Sequence, residues 1–173
     1  MSVYCRKNIA QYGIEYIEIN LSVKQCESPD FADKYIGIME KYGGNPSLIN
    51  LEVTETASLG QKEILINNMQ KLIEYGVTFS LDDFGNGQSN LNYIVDMPVK
   101  IVKFDRDMTK AYFEKEKGRF VMNATIQMLH EMGLEMVSEG VETKEMLEGM
   151  EQVGVQYIQG YYFSKPIPED KFI

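Results

Sequence analysis

Short runs of strand-forming residues recur along the chain, and several of them alternate between apolar and polar positions. In the run from Tyr16, for example, Ile17, Ile19 and Leu21 are separated by polar residues. This period is expected of an extended chain with one buried face. Six such runs predict strands, over residues 16–21, 48–54, 77–82, 99–104, 135–138 and 155–158.

Longer stretches between these strands carry apolar residues at helical spacing, which is typical of amphipathic helices. Helices are predicted over 30–42, from Ile64 to Gly76, over 89–96 and from an N-cap at Thr143 to about Val153. A longer helix ending at Gly133 is predicted to place one apolar face on Phe120, Val121, Ala124, Met128, Leu129 and Met132. The charged run at 114–117 is interpreted as a solvated connection before that helix.

The alternation of strands and helices predicts an α/β fold in which helices cover a parallel sheet. A closed TIM-like (β/α) barrel has eight strand–helix units, and the pattern here supplies about six. The sheet is therefore either open and doubly wound, or a TIM-like barrel that is incomplete by two units. The length of 173 residues suits a single domain.

Composition narrows the class of protein. The net charge of −9 argues against nucleic-acid polymers and anionic membranes as partners. No apolar run approaches the roughly 20 residues of a membrane span, and no signal-peptide pattern follows Met1. We therefore expect a cytoplasmic domain without membrane insertion, in which Cys5 and Cys26 are reduced thiols.

Polar side chains stand at or just beyond the C-terminal end of every predicted strand. In parallel α/β folds these ends share one face, where binding and catalytic sites are built. Asp82 and Asp83 are the most informative, because adjacent like charges require a cation or hydrogen bonds. The full set is Asn20, Glu52, Asp82, Asp83, Lys103, Asp105, Glu139 and Gln159.

This set has the chemistry of a two-metal site. Carboxylate and amide oxygens are hard ligands that suit Mg²⁺ or Mn²⁺. Two such ions sharing a carboxylate activate a water and stabilise the leaving oxygen in phosphoester cleavage. Lys103 could orient the water or neutralise developing charge.

Several motifs resemble the EAL family of cyclic di-GMP phosphodiesterases. They are INLS at 19–22, EVTET at 52–56, DDFGNGQSNL at 82–91, VKFD at 102–105, SEGVET at 138–143 and QGYYFSKP at 159–166. The resemblance implies a modified TIM barrel. It also implies hydrolysis of cyclic di-GMP to the linear dinucleotide pGpG, dependent on Mg²⁺ or Mn²⁺.

The same resemblance implies metal ligands. Asn20, Glu52 and Asp82 would hold one ion, and Asp82, Asp83 and Asp105 would serve the second.

The resemblance also implies roles for other residues. Lys103 would contact the metal-bound water, and Glu139 would act as a general base or as a carboxylate of the metal shell. Gln159 would line the site beside the substrate. Glu55 would anchor the loop at 83–90, which in the family couples the active site to dimer contacts.

The chain departs from the family pattern in two ways. The Glu-Ala-Leu motif, with its metal-binding glutamate and a nearby substrate arginine, is absent and is expected to lie upstream of Met1. We therefore expect one domain over 1–173 that lacks its N-terminal strand or strands, with impaired activity and exposed edges that favour a homodimer. Milder substitutions are Asn86, Gln88, Asn90 and Ser138, the last standing where alanine is usual.

Three hypotheses remain. The leading one is an EAL-type phosphodiesterase acting on cyclic di-GMP. The second is a catalytically inactive module that binds cyclic di-GMP or a partner protein in bacterial signalling. The third sets the resemblance aside: carboxylates and a lysine also suit an Mg²⁺-dependent enolising lyase.

Overall fold

The structure is a computed structural model that describes residues 13–54, 62–86, 91–168 and 171. Strands and helices alternate in the order β1 (Ile17–Leu21), α1 (Val23–Cys26), α2 (Phe31–Tyr42), a 3-10 helix (Pro46–Leu48), β2 (Ile49–Thr54), α3 (Lys62–Tyr75), β3 (Thr78–Phe84), α4 (Leu91–Asp96), β4 (Ile101–Phe104), α5 (Arg106–Glu114), α6 (Glu116–Glu131), β5 (Glu135–Ser138), α7 (Lys144–Gln152) and β6 (Tyr157–Ile158). The six predicted strands are therefore confirmed, although β6 is only two residues long.

The chain divides into two compact units. The first contains β1, β2, β3 as far as Asp82, and α1 to α4. The second contains the residues that follow Asp82 in β3 and the elements from β4 onward. Each unit is built around parallel strands.

In the first unit, β1, β2 and β3 pair in parallel in that order. The register aligns Ile17 with Ile49 and Leu51 with Phe79. On this face Ile49, Leu51, Phe79 and Leu81 are buried, whereas Ile17 in the edge strand β1 is half-buried. Polar residues of the same strands alternate with them and therefore lie on the opposite face.

Helices α2 and α3 pack against each other in the first unit. Helix α2 ends at Gly43, whose φ of 65° is the left-handed conformation that glycine adopts most readily. Its N–H donates to the carbonyl of Glu40, which satisfies a terminal acceptor of the helix. In α3, the Asn68 side chain donates to the carbonyls of Cys26 at 2.7 Å and Ser28 at 2.9 Å, so it is a buried polar group with partners.

In the second unit, β4, β5 and β6 pair in parallel in that order. The register aligns Lys103 with Val137 and Ser138 with Ile158. Strand β4 is buried along its whole length, as expected for a parallel strand covered on both faces.

The sequence prediction for the region after β4 was wrong in two respects. A separate helix, α5, precedes the predicted one, and the chain leaves helical geometry only at Lys115, with φ −133° and ψ 127°. The buried face of α6 consists of Met122, Ile126 and Leu129, whereas Phe120 is 67% exposed. The charged run at 114–117 therefore forms the junction between α5 and α6.

Among the described residues, no helix combines the length and the apolar composition that crossing a bilayer requires.

The corrected face of α6 predicts unequal effects of two truncations. Met122 is fully buried, so Met122→Ala should lower the free energy of unfolding by about 2–5 kcal/mol through lost contacts and a cavity. Phe120→Ala should change it by less than about 0.5 kcal/mol, because the ring is mostly exposed. Urea denaturation of both variants measures this, and equal losses would contradict the assignment.

The Cys26 thiol should be unreactive in the folded chain. It is 1% exposed, and burial, with a smaller contribution from the Glu27 charge, raises the pKa of Cys26 from its ordinary 9.0 to about 12. The neutral thiol therefore persists at pH 8, and the nucleophilic thiolate is scarce. In a Cys5→Ser background, a disulfide reagent should label Cys26 slowly in buffer and quickly in urea. Fast labelling in buffer would contradict this environment.

Candidate functional site

In the first unit, predicted site residues follow one polar face of the sheet. The register aligns Asn20 with Glu52, and Thr54 with Asp82. Glu52 and Thr54 are two residues apart and so point to the same face. Asn20, Glu52 and Asp82 therefore share that face, with Asp82 nearest the C-terminal edge.

A hydrogen-bonded network lies beside these residues on the same face. Asn50 donates to the Thr78 hydroxyl at 3.1 Å and accepts from the Ser80 hydroxyl at 2.6 Å. Asn50 and Ser80 are completely buried, and Glu52 is only 6% exposed. The sequence prediction did not include Asn50 and Ser80. Asn50 stands two residues before Glu52 and Ser80 two residues before Asp82, and this spacing would have placed them on the same face of the sheet.

In the second unit, the residues that follow Asp82 form a tight turn. Asp83 has a φ of 57°, in the left-handed region that residues other than glycine, asparagine and aspartate rarely adopt. Its carbonyl accepts from the N–H of Asn86 at 3.2 Å. Gly85 has a φ of 101°, and a Cβ there would lie 2.6 Å from the sulfur of Met108. The turn therefore lies directly against α5.

Asp105, predicted as a metal ligand, also has a structural role. Its Oδ1 accepts from the N–H of Asp107 at 2.8 Å, which makes Asp105 the N-cap of α5. Its own N–H donates to the carbonyl of Phe84 at 3.0 Å. One carboxylate oxygen therefore accepts a hydrogen bond from the helix, and the other oxygen takes no part in this cap.

Lys103 and Glu139 form an ion pair at the ends of β4 and β5. Lys103 Nζ lies 2.8 Å from Glu139 Oε1, and the lysine residue is only 3% exposed. The pairing follows from the register, because Lys103 aligns with Val137 and Glu139 is two residues further on the same face. A buried ammonium requires such compensation.

Gln159 is fixed beside this pair through its main chain. Its N–H donates to the carbonyl of Ser138 at 2.9 Å, and its carbonyl accepts from the N–H of Val141 at 3.2 Å. A Cβ on Gly160 would lie 2.0 Å from the carbonyl oxygen of Val141, so only glycine allows this approach. The three aromatic residues that follow, at 161–163, are exposed and do not fill the core.

The predicted site residues thus fall into two groups, each in its own unit. Asn20, Glu52 and Asp82 belong to the first unit. The second unit holds Asp83, Lys103, Asp105, Glu139 and Gln159. Glu55 and residues 87–90 of the predicted loop lie outside the described residues.

The carboxylates do not form a dense cluster. Across residues 13–54, 62–86, 91–168 and 171, no three Asp, Glu, His or Cys side chains come together in a group that could hold a metal ion. In the first unit, the predicted site residues on the polar face are one amide, Asn20, and two carboxylates, Glu52 and Asp82.

Comparison with known proteins identifies the family. A family model described as the EAL domain matches residues 4–166. The chain belongs to the EAL domain family. The cyclic di-GMP phosphodiesterase PdeL of Escherichia coli K12 is 30% identical to it over 158 residues, which are 91% of this chain and 44% of PdeL. The EAL domain chain spans less than half the length of the curated relatives it matches, for example 19% of one from Pseudomonas aeruginosa.

Solved structures confirm the fold class. An EAL domain protein from Listeria monocytogenes has a TM-score of 0.84 and 31% identity, over 97% of this chain and 67% of that one. BlrP1 from Klebsiella pneumoniae, in a manganese and cyclic di-GMP complex, has a TM-score of 0.79 and 25% identity, over 91% of this chain and 41% of BlrP1. The α/β fold predicted from the strand–helix alternation is therefore confirmed, and of the two architectures left open by that pattern the TIM-like one, which the family resemblance implies, is the correct one.

The contact between Gly160 and Val141 predicts opposite effects of one substitution at two glycines. Gly160→Ala should destabilise the EAL domain chain, because the added methyl meets backbone atoms that cannot move aside locally. Gly37→Ala, inside α2 with no atom near the added Cβ, should stabilise it by roughly 0.5–1 kcal/mol. Thermal melting of both variants measures this, and an unchanged Gly160→Ala midpoint would contradict the close approach.

Proposed function

We propose that this EAL domain hydrolyses one phosphodiester bond of cyclic di-GMP to give linear pGpG, in the cytoplasm and with divalent metal ions. The observation that carries the proposal is the buried Lys103–Glu139 pair at adjacent strand ends, 2.8 Å apart. It places a cation and a carboxylate together in a domain whose relatives include cyclic di-GMP phosphodiesterases.

The donor chemistry fits Mg²⁺ or Mn²⁺. The amide of Asn20 and the carboxylates of Glu52 and Asp82 are the hard oxygen ligands that these ions accept. We assign these three residues to one ion, and Asp82, Asp83 and Asp105 to a second. Bound ions would supply positive charge that stabilises the charge developing on phosphate oxygens. The proposal of divalent ions is supported by BlrP1, which is known in complexes of cyclic di-GMP with manganese and with calcium.

The other side chains of the site have complementary roles in this proposal. Glu139 acts as general base or as a carboxylate of the metal shell, and it keeps the Lys103 ammonium in place. The ammonium donates hydrogen bonds to the attacking water, which a buried cation does with little competition from solvent. Gln159 supplies an amide beside the substrate, and Glu55 anchors the loop at 83–90. Cyclic di-GMP and a second copy of the chain, as a homodimer, are the proposed partners.

A non-catalytic module that binds cyclic di-GMP is the second candidate. It is favoured by the engagement of Asp105 Oδ1 as a helix cap, because an oxygen that already accepts a hydrogen bond is a weaker donor to a metal ion. Only the first candidate forms pGpG from cyclic di-GMP, so one experiment separates them.

The purified chain should convert cyclic di-GMP to pGpG with Mn²⁺ or Mg²⁺, and chelation should abolish turnover. Glu139→Gln should lower the rate roughly 10²-fold or more, because it removes the proton-accepting carboxylate that also pairs with Lys103. Glu145→Gln, an equally conservative change in the exposed first turn of α7, should leave the rate unchanged. Chromatography of the nucleotides measures both.

Two outcomes would redirect the assignment. Equal rates in Glu139→Gln and Glu145→Gln would remove Glu139 from the reaction. Binding of cyclic di-GMP without pGpG would establish the non-catalytic module instead.

A further inference from the structure

Helix α5 contacts the chain on both sides of Glu139. Before Glu139, the hydroxyl of Ser138 lies 2.9 Å from the hydroxyl of Thr109, and both residues are completely buried. A buried hydroxyl needs a partner, so these two side chains determine each other's position. The end of β5 is thereby attached to the first turn of α5.

After Glu139, the contact is made by Arg106. Gly140 has a φ of 71°, and a Cβ there would lie 2.5 Å from Arg106 Cγ and 2.9 Å from Arg106 Cβ. The aliphatic stem of Arg106 therefore lies directly on the Gly140 backbone. Its Nη2 is 3.7 Å from Glu142 Oε1, a half-exposed pair that adds little energy by itself. We call residues 138–142 the Glu139 turn.

The same helix is joined to the strand that carries Lys103. Strand β4 ends at Phe104, and Asp105 caps α5 immediately afterwards. The N–H of Glu139 donates to the Phe104 carbonyl at 3.2 Å, which is the main-chain link between the two strand ends. Helix α5 thus connects directly to Lys103 along the chain, and through side chains to the Glu139 turn.

We propose that Arg106 and Thr109 are positioning residues that hold the Glu139 carboxylate against the Lys103 ammonium, and this inference rests on the proposed phosphodiester hydrolysis. Both act on Glu139 through the Glu139 turn. Beyond Ser138 the β5 strand has ended and Gly140 is left-handed. Main-chain hydrogen bonds from Glu139 and Val141 hold the backbone of the Glu139 turn, and side-chain contacts add to them. Arg106 supplies such a contact on one side and Thr109 on the other.

Four variants test the proposal. Arg106→Ala removes the stem and the charge, whereas Arg106→Lys keeps a stem and a charge. The double variant Ser138→Ala/Thr109→Val removes both buried hydroxyls without leaving one unpaired. Arg119→Ala is the matched control, because Arg119 is an exposed helical arginine that lies over the Tyr112 ring, 5.6 Å away, and not on the Glu139 turn.

Arg106→Ala should lower kcat about tenfold and leave KM within about twofold, since misplaced reacting groups slow the chemical step more than binding. Arg106→Lys should recover most of kcat. The double variant should resemble Arg106→Ala, and Arg119→Ala should match the parent. An unchanged kcat in Arg106→Ala, or an equal loss in Arg119→Ala, would overturn the proposal.

A second measurement does not require activity. Amide hydrogen exchange at Glu139 and Val141, whose N–H groups donate to Phe104 and Gln159, reports how firmly the Glu139 turn is held. Arg106→Ala should raise exchange at these two amides about tenfold without changing exchange in β2. Arg119→Ala should not.

The two measurements separate two failures. If the parent shows no turnover, the proposed function fails, and exchange alone decides whether Arg106 orders the Glu139 turn. Raised exchange at Glu139 and Val141 then supports the positioning role. Unchanged exchange overturns it whether or not the parent is active.

Discussion

A lysine buried at the end of β4 imposes a requirement that much of the second unit meets. An ammonium removed from water is tolerated only next to an opposite charge with suitable hydrogen bonds. Glu139 supplies that charge at 2.8 Å. Gly140 allows the Arg106 side chain to lie on the Glu139 turn, and Gly160 allows the chain after β6 to approach Val141. These contacts all place the end of β5 where the carboxylate can reach the lysine.

The first unit meets a related requirement in another way. Strands β1 to β3 are covered by apolar packing on one face and carry polar residues on the other. Asn50, Thr78 and Ser80 donate to and accept from one another, so these three polar side chains all have hydrogen-bond partners. A hydrogen-bonded layer of this kind keeps neighbouring carboxylates from facing a purely apolar interior.

The sequence predicted the strands well because a parallel sheet leaves a local signal. Runs such as residues 48–54 combine alternation with β-branched residues, and flanking glycines mark where helices end. The candidate site residues at strand ends also leave a local signal, since a polar side chain directly after a buried run has few structural explanations. Lys103 and Glu139, however, are 36 positions apart in the sequence. Their pairing depends on the register between β4 and β5, which no local pattern specifies.

The failures have equally physical causes. Phe120 and Val121 are apolar, but they lie on the exposed side of α6. The side that packs inward carries Met122, Ile126 and Leu129, at spacings of four and three residues. Apolar character alone does not tell these two sides apart. The boundary at Lys115 lacks the glycine or proline that usually ends a helix. The N-cap role of Asp105 was missed because the same residue had already been explained as a ligand.

At Asp83 the backbone conformation favours glycine, whereas the proposed metal site needs a carboxylate. With φ at 57°, its backbone occupies a conformation that costs a residue with a Cβ about 1 kcal/mol relative to glycine. A chain optimised only for stability would carry glycine there. Under the proposed metal role, Asp83→Gly would relieve the backbone and remove a ligand, so a library selected for thermostability would exchange activity for stability at this position.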